Sequence, residues 1–280
     1  MKILLNFISV YFNGLSWISP KTSARHAFNL FAFPFKAKLR DEHQEFLDTS
    51  EKFKLNVLGK VIQCYAWGQG DESILLVHGW QSNTYRWKSY INAFDKSRFT
   101  VYAFDAPGHG NSEGRICTIP LYEKVMEVLI EDKGPIDHFV GHSLGSFACA
   151  SFIYHHNYPV QSYTSLASPF HAEEFFDNFE SKINLSKRSK NHLVEFFQNY
   201  TSYPIKHYSL ETFSQRKIAE RTLIIHDKKD EATSYQNANK MKTLLENSNQ
   251  EVKVVITDGL RHKLRSRKVE EMVVDFVGMH

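Results

Sequence analysis

Ser143 stands at the centre of Gly141-His142-Ser143-Leu144-Gly145, a G-x-S-x-G pentapeptide. A serine hydroxyl becomes a useful nucleophile only when a neighbouring base removes its proton and a third group orients that base. The surroundings of the pentapeptide suit this chemistry. An apolar run, His138–Gly141, leads into it, and the small-residue run Ser146-Phe147-Ala148-Cys149-Ala150-Ser151-Phe152-Ile153 leads out. A strand, a sharp turn and a helix in that order hold a nucleophile in a strained backbone, with small residues two positions to either side so that strand and helix can pass. The same turn sets the serine at a helix N-terminus, where amide groups and the helix dipole favour a developing oxyanion.

Such a turn needs a sheet to carry it, and the apolar pattern supplies one. Phe53–Val57 and Lys60–Trp67 alternate like a hairpin joined near Gly59. Ser73–Val77 is a continuous apolar run, as expected of a strand buried on both faces. Phe99–Asp105, Ser162–Ala167, Arg221–His226 and Glu251–Thr257 are further runs of strand length. Helical stripes fall between them, such as Leu121, Val125, Val128 and Leu129, and near the C-terminus Val269, Met272, Val273 and Phe276. This alternation predicts an α/β fold, a mostly parallel central sheet with helices on both faces. Between Pro169 and Lys217 the alternation lapses into a stretch rich in aromatic and basic residues, which predicts an insertion with helices of its own.

Two more motifs precede the pentapeptide: Leu75-Leu76-Val77-His78-Gly79-Trp80, a strand ending in His-Gly-Trp, and Asp105-Ala106-Pro107-Gly108-His109-Gly110-Asn111-Ser112. With them the chain resembles the α/β-hydrolase fold family, whose small members carry HGW, DxPGHGxS and GHSxG in this order. The resemblance runs from about Lys60 to the C-terminus. It implies the order serine, acid, histidine along the chain. The base is then His262, in Asp258-Gly259-Leu260-Arg261-His262 after the Glu251–Thr257 strand. The acid is Asp230, at the end of a G-x-x-D stretch in which Asp227 takes the glycine position, so Asp227 remains the alternative. Backbone N–H groups of Trp80 and Leu144 would form the oxyanion hole, and residues of about 169–217 a helical cap over Ser143. His78 and the 105–112 segment are expected to be structural. The activity implied is hydrolysis of carboxylic esters or thioesters through an acyl-enzyme on Ser143, with no metal or organic cofactor. An acyltransferase or perhydrolase would use the same three residues, and a binding protein without catalysis is the remaining alternative.

Composition bounds these readings. With 42% hydrophobic and 23% charged residues, the 280-residue chain has the balance of a globular protein. A net charge of +3 gives no footprint for nucleic acid. Three cysteines without metal or C-x-x-C spacing suggest reduced thiols and a cytoplasmic setting. A small acyl compound is the expected partner. Residues 1–52 are expected to be an N-terminal helical extension packed on the core, and residues 53–280 the hydrolase domain. Within that extension, Met1 to Ile18 is apolar but broken by Asn6, Ser9, Asn13 and Gly14. A docked amphipathic helix is the expectation, with a membrane-surface helix or an export signal as alternatives. Arg261, Lys263, Arg265, Arg267 and Lys268 crowd the His262 loop, as a solvated surface or as an attractor of anionic substrate.

Overall fold

In chain order the helices and strands are α1 (Lys2–Ile18), α2 (Pro20–Phe31), α3 (Asp41–Leu47), β1 (Glu51–Val57), β2 (Lys60–Trp67), β3 (Glu72–Val77), α4 (Lys88–Ala93), β4 (Phe99–Phe104), α5 (Ile119–Lys133), β5 (His138–His142), α6 (Leu144–His156), β6 (Ser162–Leu166), α7 (Glu173–Ile183), α8 (Lys187–Thr201), α9 (Leu210–Phe213), β7 (Arg221–Asp227), α10 (Gln236–Glu246), β8 (Glu251–Thr257) and α11 (Arg267–Gly278). They come from a computed structural model that describes residues 2–36, 39–247 and 250–279. The eight strands form one sheet in the order β1-β2-β4-β3-β5-β6-β7-β8. β1 and β2 pair antiparallel, as does β2 with β4, and every pair from β4 to β8 is parallel. The apolar run read as a doubly buried strand is so, with Ser73 to Val77 all buried, and all five residues of β5 and of β6 are buried as well.

The described chain divides into two compact units. One holds residues 34–169 and 213–280 and contains the sheet. Its core joins Leu76, Val140, Leu166, Leu223 and Ile225 of the strands to Val269, Val273 and Phe276, the apolar stripe of α11. The other unit holds residues 1–33 and 170–212. This division differs from the boundary expected at residue 52. The N-terminal helices cluster with the inserted segment, whereas residues from Pro34 on, including α3, belong with the sheet. Ring contacts show why. Phe31 of α2 stacks on Phe176 at 4.5 Å and meets Phe179 edge-on at 5.4 Å. Phe28 lies 5.1 Å from both Phe196 and Tyr200. Phe197 in turn contacts Phe176 at 5.2 Å and Tyr208 at 5.6 Å. Phe176 and Phe197, among the aromatics of the inserted stretch, therefore serve as the packed interior of a helical unit completed by α2.

Within the sheet-bearing unit the β5–α6 junction is a tight passage. Ser143 has φ 54° and ψ −126°, a region that non-glycine residues occupy only at a cost of about 1–3 kcal/mol. The surroundings hold it there: its amide donates to Leu166 O at 2.8 Å, and its carbonyl accepts from Phe147 N at 3.1 Å. A Cβ on Gly141 would lie 2.3 Å from Ser146 Cα, and one on Gly145 would lie 2.4 Å from the carbonyl oxygens of both Val77 and His78. These glycines are required by proximity, since neither has a positive φ. Gly145→Ala should therefore destabilise the sheet-bearing unit by roughly 3 kcal/mol, near the top of the overpacking range. Urea unfolding followed by circular dichroism reads this as a lowered midpoint, and an unchanged midpoint would show that the crossing can relax.

Candidate active site

Ser143, Asp230 and His262 come from three separate strand ends of one sheet edge, following β5, β7 and β8. Parallel strands align their carboxyl ends, so residues nearly 120 positions apart meet there. His262 Nε2 lies 2.9 Å from Ser143 Oγ, and His262 Nδ1 lies 2.9 Å from Asp230 Oδ2. With the ring proton on Nδ1, the imidazole donates to the carboxylate and accepts from the serine hydroxyl, the tautomer a general base requires.

The carboxylate is heavily partnered. Asp230 Oδ1 accepts from the amides of Ala232 at 2.8 Å and Thr233 at 3.0 Å, while Oδ2 accepts from Thr233 Oγ1 at 2.9 Å. His226 Nε2 stands 3.3 Å from Oδ2. Burial alone would raise the Asp230 carboxyl, but hydrogen bonds with His226 and His262 outweigh it and hold the group well below the usual carboxylate range. At neutral pH it is ionised.

Asp227 does something else. It is the last residue of β7, and its two oxygens accept from Thr257 Oγ1 at 2.7 Å, Leu260 N at 2.8 Å, Lys229 N at 2.9 Å and Gly259 N at 3.2 Å. Nothing left-handed is asked of it, although tolerance of such geometry is what makes aspartate acceptable in the sequence pattern. The carboxylate ties the end of β7 to the loop that carries His262. That loop is held from a second side by His142, whose Nε2–H donates to His262 O at 2.7 Å. Burial keeps His142 well below its ordinary pKa, so the ring is neutral.

The segment after β3 closes against the serine. A Cβ on Gly79 would lie 2.8 Å from His142 O and 2.9 Å from Ser143 Cβ, so the backbone leading to Trp80 passes directly beside the nucleophile. Leu144 is the first residue of α6, where amides have no intrahelical acceptor. Buried polar groups brace this segment. His78 Nδ1–H donates to Gly79 O at 2.8 Å and its Nε2 accepts from Ala106 N at 3.0 Å. His109 Nε2 accepts from Gln81 N at 3.1 Å, and Asp105 Oδ1 accepts from Thr84 N at 2.8 Å. Burial lowers His78 to about 4 and His109 to about 3, so each stays neutral and keeps one nitrogen as an acceptor for a backbone amide. The 105–112 motif thus acts through the 78–84 segment. His109, His142, His226 and Thr233 were not singled out as site residues from the sequence. His109 and His142 lay within recognisable motifs, but their contacts were not legible there, and His226 and Thr233 are defined by contacts made only after folding. Among the described residues no cluster of His, Cys, Asp or Glu could hold a metal ion.

Comparisons with known proteins bear on the fold. A family model described as the alpha/beta hydrolase fold matches residues 72–200. A pimeloyl-[acyl-carrier protein] methyl ester esterase from Hamiltonella defensa subsp. Acyrthosiphon pisum is 32% identical over 82 residues, 29% of this chain and 30% of that protein. The chain therefore matches less than a third of that relative's length. An esterase structure from Pyrococcus furiosus superposes with a TM-score of 0.64 at 13% identity, covering 88% of this chain and 98% of the other. A carboxylesterase from Bacillus subtilis gives 0.60 at 17% identity, covering 92% and 98%.

The clamp at Asp227 gives a prediction with a definite sign. Burial would raise this carboxyl, but the hydrogen bonds from Thr257, Leu260 and Lys229 dominate and lower it to about 2 from an ordinary value near 3.8. A depressed folded-state pKa stabilises the fold fully above the unfolded value, and that contribution fades as pH falls towards 2. Asp227→Asn should cost about 2 kcal/mol at pH 7 by setting an amide NH₂ against N–H donors. The gap between variant and wild type should narrow between about pH 4 and pH 2. A gap that stays constant across that window in urea titrations would remove the clamp.

Proposed function

We propose that this chain, whose fold is that of the α/β hydrolases, is a serine hydrolase cleaving carboxylic esters or thioesters through an acyl-enzyme on Ser143. The observation that carries this reading is the serine–histidine–aspartate relay, with 2.9 Å at both of its junctions. His262 Nε2 takes the hydroxyl proton as Ser143 Oγ attacks the acyl carbonyl carbon. The negative charge that develops on the carbonyl oxygen is held by the amides of Trp80 and Leu144. Asp230 keeps the imidazole in the required tautomer and stabilises the imidazolium. Collapse of the tetrahedral species expels the alcohol or thiol, which receives the proton from His262. Water, deprotonated by the same ring, then attacks the acyl-enzyme, and the acid is released as the bond to Ser143 Oγ breaks and the oxygen takes the proton back from His262. The esterase names of the relatives support this reaction class, and a fully partnered Asp230 supports a base held ready in the free protein.

The test is a set of p-nitrophenyl esters and acyl thioesters of graded chain length, together with labelling by a fluorophosphonate. Ser143→Ala should keep its fold, lose the label and lose about four powers of ten in kcat. Asp230→Asn should fall by about 10⁴ through the wrong histidine tautomer. Asp227→Asn, assayed at neutral pH below its unfolding temperature, should fall by less than about tenfold, because it acts on the loop and not on the ring. Label retained in Ser143→Ala would remove the serine from its role, and the reverse ranking of the two aspartates would transfer the acid's role to Asp227.

A further inference from the structure

Helix α1 is packed with its polar face inward. Ser9 Oγ donates to Asn184 O at 2.8 Å, Asn13 Oδ1 accepts from Ser186 N at 2.8 Å and from Ser189 Oγ at 3.0 Å, and Arg188 Nε donates to Ser16 O at 3.1 Å. Ser9, Phe12 and Ser16 are the buried positions of the helix. Ser9 and Asn13 are among the residues that interrupt the apolar run in the sequence, and they bond the helix to the segment joining α7 and α8 within the helical unit.

The consequence is on the other side. Ile3, Leu4, Phe7, Val10, Tyr11, Trp17 and Ile18 are between 49 and 84% exposed. At 100° per residue they fall within an arc of roughly 140°, and over the helix they form a strip about 25 Å long. No charged residue interrupts the strip. Single exposed apolar residues need no explanation, but a continuous strip of this size marks a surface that is covered in use.

We propose that α1 docks this strip on the interface of an anionic lipid bilayer, lying in the plane of the membrane surface. Charge identifies the partner. The first 40 residues hold six basic residues (Lys2, Lys21, Arg25, Lys36, Lys38 and Arg40) and no acidic one, whereas the remainder of the chain carries more acid than base. Lys21 and Arg25, one turn apart on α2, are exposed, as are Lys187 and Arg188 at the start of α8. The Arg188 guanidinium lies 4.3 Å from the centre of the Trp17 ring, which places a cation against an exposed tryptophan. Tryptophan, tyrosine and snorkelling cations are the side chains that settle at the headgroup level, with the aliphatic residues below them. No helix among the described residues is long and apolar enough to cross a membrane, so the helix lies on the surface and does not span it. A convex helical ridge also needs no matching groove in a lipid partner.

Flotation of the full chain with extruded vesicles tests this. The chain should rise with vesicles of phosphatidylcholine containing phosphatidylglycerol, less with phosphatidylcholine alone, and less as salt is added. An Ile3→Ser, Phe7→Ser, Val10→Ser variant should partition at least about tenfold more weakly with an unchanged circular dichroism spectrum, since all three side chains face solvent. Lys21→Glu with Arg25→Glu should remove the preference for phosphatidylglycerol while leaving the strip intact. The proposal is overturned if neither vesicle type carries the protein, or if the triple serine variant floats as well as wild type. It is equally overturned if the strip proves to be buried in a dimer, seen by sedimentation equilibrium, that the same substitutions dissociate and that does not bind vesicles. None of these measurements uses catalysis, so either result leaves the hydrolase reading to its own tests.

Discussion

The site depends on one steric constraint: three backbone segments crowd around Ser143 at distances that leave no space for a side chain at Gly79, Gly141 or Gly145. β5 must turn into α6 without clashing at Ser146, α6 must begin against the end of β3, and the segment after β3 must pass the serine itself. Each approach is closer than a Cβ would allow, and the serine between them sits at a positive φ that no isolated peptide would favour. The strain persists because neighbours over-determine it. Ser143 N is fixed by Leu166 of the next strand, and the doubly buried β3, β5 and β6 give those neighbours little freedom to shift. What the crowding achieves is placement: Ser143 Oγ projects at a helix start, beside the backbone on which the next amides lie.

A second layer of the design is polar and buried. Moving a charge or an amide from water into such a site costs several kcal/mol unless partners are already in place. Around this serine the partners are neutral histidines and saturated carboxylates. His78 and His109 each use one nitrogen to accept a main-chain amide, and Asp105 and Asp227 gather amides from two loops. Low pKa values at the histidines belong to the same logic, because a protonated ring would lose its acceptor and release the loop. These residues act on the geometry of the nucleophile's surroundings and need not touch a substrate to do so.

Much of this was legible in the sequence because it follows from local pattern. The strands announce themselves as apolar runs, and the G-x-S-x-G turn carries its strand and helix with it. The chain order then leads to His262 and to Asp230, which the geometry brings together at 2.9 Å. Contacts made only after folding were not legible. Nothing in the spacing of His226, Thr233 and Asp230 tells which of them share a hydrogen bond, because that depends on how the chain leaves β7. Asp227 and Asp230 differ by three positions, and their separate tasks follow from one facing the loop after β8 while the other faces the ring of His262.

The N-terminal helix exposes the limit of pattern reading more sharply. Amphipathic periodicity reports which face differs from the other, and the inference that the apolar face points inward is an added assumption. On α1 the assumption fails because, Phe12 apart, the inward contacts are hydrogen bonds of fixed direction, in which Ser9 donates to Asn184 O while Asn13 Oδ1 and the Ser16 carbonyl accept from Ser186 and Arg188. A helix bonded in this way gains little from burying apolar surface within its own unit, where the aromatics of α2, α7 and α8 already supply the core. Its apolar residues remain in contact with solvent unless something outside the chain covers them, and every methylene so covered returns about 0.8 kcal/mol. Of the breaks in the apolar run that argued against a membrane segment in the sequence, Ser9 and Asn13 are the ones that fasten the helix to the protein, and the face opposite them keeps its exposed apolar residues.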